Sequence, residues 1–133
     1  MKVLILVTMF FCHIVDDYYL QGVLANMKQK SWWEKQTSNK LYKYDYIIAL
    51  IEHAFSWSFV MMLPILVYMI ATNNIGPKAV ASYVVMIIYN LWFHSYIDNQ
   101  KANKLQINLI KDQMWHFFQI VATWLIMFYV AKI

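Results

Sequence analysis

Four long apolar segments constrain this chain more than any other feature of its sequence. They cover residues 3–20, 46–71, 79–98 and 112–131, and each is close to the ~20 residues that a helix needs to cross a bilayer. Backbone amides in lipid must form their hydrogen bonds within the segment, which predicts that all four are helices. The chain has only two glycines and two prolines, and it shows no linker or repeat. We therefore expect one integral membrane domain over residues 1–133.

The connections between these segments predict how the helices are arranged. The second connection, TNNIGPK at 72–78, is short and rich in turn-forming residues. Short connections make neighbouring helices antiparallel, so the predicted fold class is all-α, an up-down four-helix transmembrane bundle. The connection at 22–45 is longer and rich in lysine and aromatic residues, and we expect a short amphipathic helix there on the membrane surface. Pro64 predicts a kink in the second helix.

The first segment imitates a secretory signal peptide, because Lys2 precedes the apolar run VLILVTMFFC. No small-x-small cleavage site follows, and the run ends in histidine and aspartate residues. We therefore interpret the segment as a retained helix. The single cysteine, Cys12, lies within it, so the chain can form no internal disulfide.

The lysines predict the orientation of the chain in the membrane. Five of the eleven lie in the connection at 22–45, three follow the third segment, and three lie on the opposite side. The positive-inside rule then places the two lysine-rich connections in the cytosol and both termini outside, in the inner membrane of the cell. No nucleic-acid-binding motif accompanies the lysines, so we expect membrane lipids, and no nucleic acid, as partners.

Each segment carries one of the four histidines, and all four lie toward the predicted cytosolic end. Three of them have an aspartate four residues away, a spacing that places both side chains on one helix face. Ionisable groups in membrane helices normally face the bundle interior and are functional candidates. Imidazoles with carboxylates suit a divalent transition metal, zinc first, with manganese or iron as alternatives. The predicted ligands are His13, Asp17, His53, His94, Asp98 and His116.

The residues alone leave other interpretations of this cluster open. Taken singly, such a histidine is more often a packing residue, and Asp112 suits the N-terminal end of a helix through the helix dipole. Histidine–carboxylate pairs also build proton relays, and opposed histidines can bind haem iron. A shared site is favoured because all four histidines fall at one level of the bundle.

Three short motifs resemble those of a known family. They are HIVDDYYLQ at 13–21, HSYIDNQK at 94–101 and DQMWH at 112–116. In this order they resemble the small polytopic membrane proteins of bacteria and their phages that form domain-of-unknown-function family 3307. The chain departs from the family pattern in the second helix, where Trp57 stands in the place of a second histidine. The resemblance implies a polar set of His13, Asp17, Gln21, His94, Asp98, Lys101, Asp112, Gln113 and His116.

Three functions are compatible with such a cluster. The first is a membrane-embedded, metal-dependent hydrolase, in which the metal activates water or polarises a phosphoryl oxygen of a lipid or isoprenoid phosphate. Asp112 and Glu52 would then carry protons and Lys101 would hold a phosphate group. The second is a proton or metal-ion transporter or channel. The outer halves of the helices are mostly apolar, which argues against a continuous polar path unless the chain forms a homo-oligomer. The third is a non-catalytic membrane interaction module of a bacterium or phage.

Overall fold

The computed structural model describes all 133 residues, and all of its regular secondary structure is helical. A single π-helical turn continues each terminal long helix, and a 3₁₀ turn precedes the fourth helix. No strand is present, so the prediction of an all-α fold is confirmed. The six α-helices are α1 Lys2–Val15, α2 Leu24–Met27, α3 Lys30–Gln36, α4 Asp45–Ala71, α5 Pro77–Ala102 and α6 Leu109–Leu125.

The four long helices pack around a common core. α1 contacts α4 and α6, and α5 contacts the same two helices. α4 continues through Pro64 without interruption, and the connection to α5 turns at Asn73, which has a positive φ of 53°. Asparagine tolerates this left-handed conformation better than most residues. The apolar half of the core is rich in buried methionine, including Met9, Met61 and Met69, whose flexible side chains fill irregular space between helices.

Three helices are long and apolar enough to cross a membrane, namely Lys2–Leu20, Lys40–Ala71 and Pro77–Ala102. α6, with 17 residues, is not among them. Large apolar side chains such as Phe11, Phe59 and Trp92 are exposed on the outer surface, while polar side chains are buried inside. This distribution is the reverse of that in soluble proteins, and it is consistent with a membrane location.

A layer of buried polar side chains joins α5 to α6. Asn90 Oδ1 accepts hydrogen bonds from Gln119 Nε2 at 2.8 Å and from Thr123 Oγ1 at 3.0 Å. Gln119 Nε2 also donates to the backbone oxygen of Asn90 at 2.9 Å. Polar groups in an apolar environment are stable only when they are hydrogen-bonded, so these residues fix the register of the two helices.

We expect the substitution Asn90→Ala to destabilise the fold, because it removes two side-chain hydrogen bonds between α5 and α6. Interhelical hydrogen bonds in membrane proteins contribute roughly 0.6–1.7 kcal/mol each. Thermal unfolding in detergent, followed by circular dichroism, should therefore occur at a lower temperature. Asn26→Ala, at an exposed position of α2, is the control and should have a smaller effect. Equal unfolding temperatures for the two variants would contradict this role of Asn90.

Candidate metal centre

Two buried acidic residues lie on the π-helical turn that continues α1, and one of them, Asp17, belongs to the centre. This turn covers Asp16–Leu20 and directly follows the last α-helical turn of α1. Asp16 and Asp17 are both buried there. Asp16 Oδ1 accepts a 2.7 Å hydrogen bond from Ser56 Oγ, and the Gln21 side chain donates to the backbone oxygen of Asp17. Single π-helical turns within α-helices are frequent at functional sites.

Three histidines from three helices direct their Nε2 atoms at one carboxylate. Asp98 Oδ2 lies 3.3 Å from His53 Nε2 and 3.7 Å from His94 Nε2, and Asp98 Oδ1 lies 3.3 Å from His116 Nε2. The Nε2 atoms of His53 and His94 are themselves 3.1 Å apart. The Nδ1 atoms of the three rings have no hydrogen-bond partner in the protein. Each ring therefore makes its polar contacts through Nε2.

Two further carboxylates complete the centre. Asp17 Oδ1 lies 3.4 Å from His53 Nε2, and Asp112 Oδ1 lies 3.4 Å from His116 Nε2. When a tetrahedral metal ion has bonds of about 2.0–2.1 Å, neighbouring ligand atoms are about 3.3 Å apart, which matches these distances. The buried groups could therefore hold a metal ion. Two sets have all their ligand atoms within 4.8 Å of one another: Asp17, His53 and His94, and His94, Asp98 and His116.

Two lysines form ion pairs with the carboxylates of the centre. Lys28 Nζ lies 2.6 Å from Asp98 Oδ2, and Lys101 Nζ lies 2.5 Å from Asp112 Oδ2. Lys28 is buried, although it comes from the connection between α2 and α3. Asn103, directly after α5, fixes this connection, because its Nδ2 donates to the backbone oxygen of Lys28 at 3.1 Å. The surface connection thus supplies a buried cation to the centre.

The buried polar interior, which comprises the centre and the neighbouring Asp16, contains more acidic than basic groups. If the histidines are neutral and the four carboxylates are ionised, the two lysines leave two negative charges without a partner. Buried charges are normally paired or bound to a metal. One divalent cation would balance the charge, and so would two protons on the histidines. The four buried carboxylates are Asp16, Asp17, Asp98 and Asp112.

His13 lies beside the centre, and both of its ring nitrogens are engaged. Trp57 Nε1 donates to His13 Nδ1 at 2.7 Å, so the Nε2 of the neutral ring carries the proton and faces Gln113 Oε1 at 3.0 Å. Gln113 Nε2 then donates to Asp17 Oδ2 at 3.1 Å and to Asp112 Oδ2 at 3.2 Å. The structure therefore places His13, a predicted metal ligand, outside the ligand sets, as a residue that orients two carboxylates.

A stack of aromatic rings sets the orientation of two of the histidines. The ring centroids of Trp57 and His94 are 4.2 Å apart, and those of His94 and His116 are also 4.2 Å apart. All three rings are buried. Trp57 thus packs against one ligand candidate and hydrogen-bonds to the histidine that orients the carboxylates.

Not every predicted site residue lies in the centre. The five other predicted ligands come together as described, and Asp112 and Lys101 lie at the edge of the cluster. Glu52 is exposed, because successive residues of a helix lie about 100° apart and His53 faces inward. The structure therefore does not bring Glu52, a predicted proton carrier, to the centre.

Sequence reasoning missed two residues of the centre. Lys28 was counted with the lysines at the headgroups, and no local pattern marks it, because its position depends on how α2 and α3 fold back. Its spacing could have indicated Trp57, since it lies four residues after His53 and so shares its helix face. Gln113 was predicted only from the family resemblance.

Comparisons with protein-family models, with curated proteins and with solved structures find no match for this chain. The chemistry of the centre is therefore inferred from its own geometry.

We expect Gln113→Leu to weaken metal binding at the centre. The leucine keeps the side-chain volume but removes the hydrogen bonds that orient Asp17 and Asp112. Loss of a residue that orients ligands typically weakens metal affinity by about 10- to 100-fold. Zinc titration of the purified protein against a chromophoric chelator measures the change. Gln106→Leu, at an exposed position before α6, is the matched control, and equal affinity of the two variants would contradict the role of Gln113.

Proposed function

We propose that this chain is a four-helix membrane protein whose buried centre holds a divalent transition metal and hydrolyses a lipid or isoprenoid phosphate. The observation that carries the proposal is the convergence of three imidazole Nε2 atoms and the carboxylates of Asp17 and Asp98, which form two ligand sets of three residues that share His94. The donors are nitrogen and oxygen without thiolate. This set suits zinc first, and manganese or iron next.

The proposed transmembrane arrangement includes α6 as the fourth spanning helix. α6 packs against α1 and α5 and exposes apolar residues such as Phe118 and Leu125. With four antiparallel spans, the centre lies at the end of the bundle where α1 and α5 end and α4 and α6 begin. The two lysine-rich connections are at this end, which favours the cytosolic face of the inner membrane, with both termini outside.

The geometry also supports the proposed chemistry. A divalent metal at the centre would activate a water molecule and polarise a phosphoryl oxygen. Asp112 Oδ1 lies 3.4 Å from His116 Nε2 and has no other polar partner, so this oxygen is the one that would exchange a proton with the site. Its other oxygen, Oδ2, is held by Lys101 at 2.5 Å. A cavity of about 140 Å³ beside these groups is lined by both Lys28 and Lys101.

A proton or metal-ion transporter is the second candidate, and one observation favours it. The layer of Asn90, Gln119 and Thr123 lies one to two helical turns beyond His94 and His116, so polar groups continue past the centre. Beyond that layer the core is apolar, with buried Met61, Ile65 and Met69. Because the polar residues end there, a hydrolytic site at one end of the bundle explains the structure better than a path through it.

The first test is the metal content of the purified protein. Elemental analysis in detergent should find a stoichiometric transition metal in the wild type. His94→Ala should lose it, because His94 belongs to both ligand sets. His13→Ala is the matched control, and it should keep a bound metal with reduced affinity, because His13 only orients the ligands. Absence of a transition metal, even after zinc or manganese is added, would contradict the proposal and favour a non-catalytic membrane module.

The hydrolytic step is tested by phosphate release from a lipid or isoprenoid phosphate in mixed micelles. The metal-loaded wild type should release phosphate, and His94→Ala or chelator-treated protein should not. If the metal-loaded protein releases none but moves protons or metal ions across proteoliposomes, the transporter is the correct function.

The orientation is tested with single cysteines in a Cys12→Ala background. A membrane-impermeant maleimide applied to intact spheroplasts should label Asn74→Cys, between α4 and α5, because this connection is proposed to lie outside. It should label Lys35→Cys, in α3, only after the membrane is permeabilised. The reverse pattern would contradict the proposed orientation.

A further inference from the structure

A polar cavity and an apolar groove meet beside the metal centre. The cavity is lined by Lys28, Lys101 and Asp17, among others, and the groove by Ile14, Tyr19 and Phe117 of α1, its π-helical turn and α6. Both are also lined by Tyr18 and Gln113. A single molecule with a polar head and an apolar tail could therefore occupy both.

The cavity presents ammonium donors that the protein does not use. Lys28 Nζ and Lys101 Nζ each donate one hydrogen bond, to Asp98 and Asp112. An ammonium group has three N–H donors, so two remain on each lysine. Asp17 also lines the cavity and repels an anion, but a cation at the centre would compensate its charge. With that cation present, the cavity is complementary to a group with several anionic oxygens, such as a phosphate monoester.

The groove opens on the surface that faces the lipid. Tyr18, Tyr19 and Ile14 are exposed there, and four of the five groove residues are apolar or aromatic. A hydrocarbon chain in this groove would stay in contact with the bilayer while its head reaches the cavity. The ligand would therefore enter sideways from the membrane.

We infer that the chain binds an amphiphilic phosphate monoester, with its phosphate between Lys28 and Lys101 and its hydrocarbon chain in the groove between α1 and α6. This inference rests on the proposed function, because it places the phosphate of the substrate beside the proposed metal. It adds Lys28 as a phosphate-binding residue and assigns a binding site to the hydrocarbon chain of the ligand. Free phosphate shares the head chemistry but cannot use the groove.

Binding of three probes to the zinc-loaded protein in detergent separates these contributions. The probes are farnesyl monophosphate, farnesol and inorganic phosphate, measured by native mass spectrometry. Farnesyl monophosphate should bind at least about tenfold more tightly than either other probe, since it alone uses both the cavity and the groove. Equal binding of farnesyl monophosphate and farnesol would overturn the phosphate site, and equal binding of farnesyl monophosphate and inorganic phosphate would overturn the groove.

Lysine variants test the head of the ligand. Lys28→Gln and Lys101→Gln should each weaken farnesyl monophosphate binding about tenfold and leave farnesol binding unchanged. Lys104→Gln removes the same charge at an exposed position beyond α5 and should have no effect. If Lys28→Gln fails to fold because Asp98 loses its partner, Lys101→Gln still decides. Wild-type affinity in a folded Lys101→Gln variant would overturn the inference.

Variants of the groove test whether it binds the hydrocarbon chain of the ligand. Ile14→Asn should weaken farnesyl monophosphate several-fold and leave inorganic phosphate unchanged, because it removes apolar contact only. Val7→Asn, two helical turns earlier on the same exposed face of α1, is the matched control and should bind like the wild type. Equal effects of the two substitutions would overturn the assignment of the groove.

The metal content of every variant is measured in parallel, so that failure of the inference and failure of the proposed function are distinct. A protein that holds metal but shows no lysine-dependent binding would overturn the inference alone. Lysine-dependent binding without any metal would contradict the hydrolase and still support the amphiphile site.

Discussion

The carboxylate of Asp98 is the group on which the polar interior depends. It lies within 3.7 Å of imidazole nitrogens from α4, α5 and α6 and forms an ion pair with Lys28 of the connection between α2 and α3. Four parts of the chain are therefore tied to one buried anion. Removing one partner from a buried charged group typically costs about 3–5 kcal/mol, so this cluster stabilises the packing of the helices. It is also the best candidate for a functional site.

The rest of the bundle can be understood from the cost of placing such a group in a membrane protein. Large apolar side chains cover much of the outer surface of the long helices, and the buried charged groups must find their partners within the bundle. The π-helical turn brings Asp16 and Asp17 inward, and the pair of Trp57 and His13 fixes the amide that orients the carboxylates. Even so, the carboxylates outnumber the lysines. A bound divalent cation would balance this charge, and so would two protons on the histidines.

Sequence patterns were sufficient for the parts of the structure that repeat along a helix. The helical class followed from apolar segment length, and the meeting of His94 with Asp98 followed from spacing on one face. What the patterns could not give depends on contacts between distant segments. Lys28 reaches the centre because α2 packs against α4 and Asn103 holds the connection between α2 and α3. His13 has the same spacing to an aspartate as His94, yet its ring is occupied by Trp57 and Gln113, and only the packed bundle distinguishes the two histidines.

X-ray absorption spectroscopy at the metal edge of the purified protein tests the central claim most directly. The proposed metal centre predicts a first shell of nitrogen and oxygen at about 2.0–2.1 Å, with the outer-shell scattering of more than one imidazole and no sulfur. His94→Ala should lose an imidazole contribution or the metal altogether. A first shell that contains sulfur, a spectrum without imidazole scattering, or a protein that binds no transition metal would contradict the account.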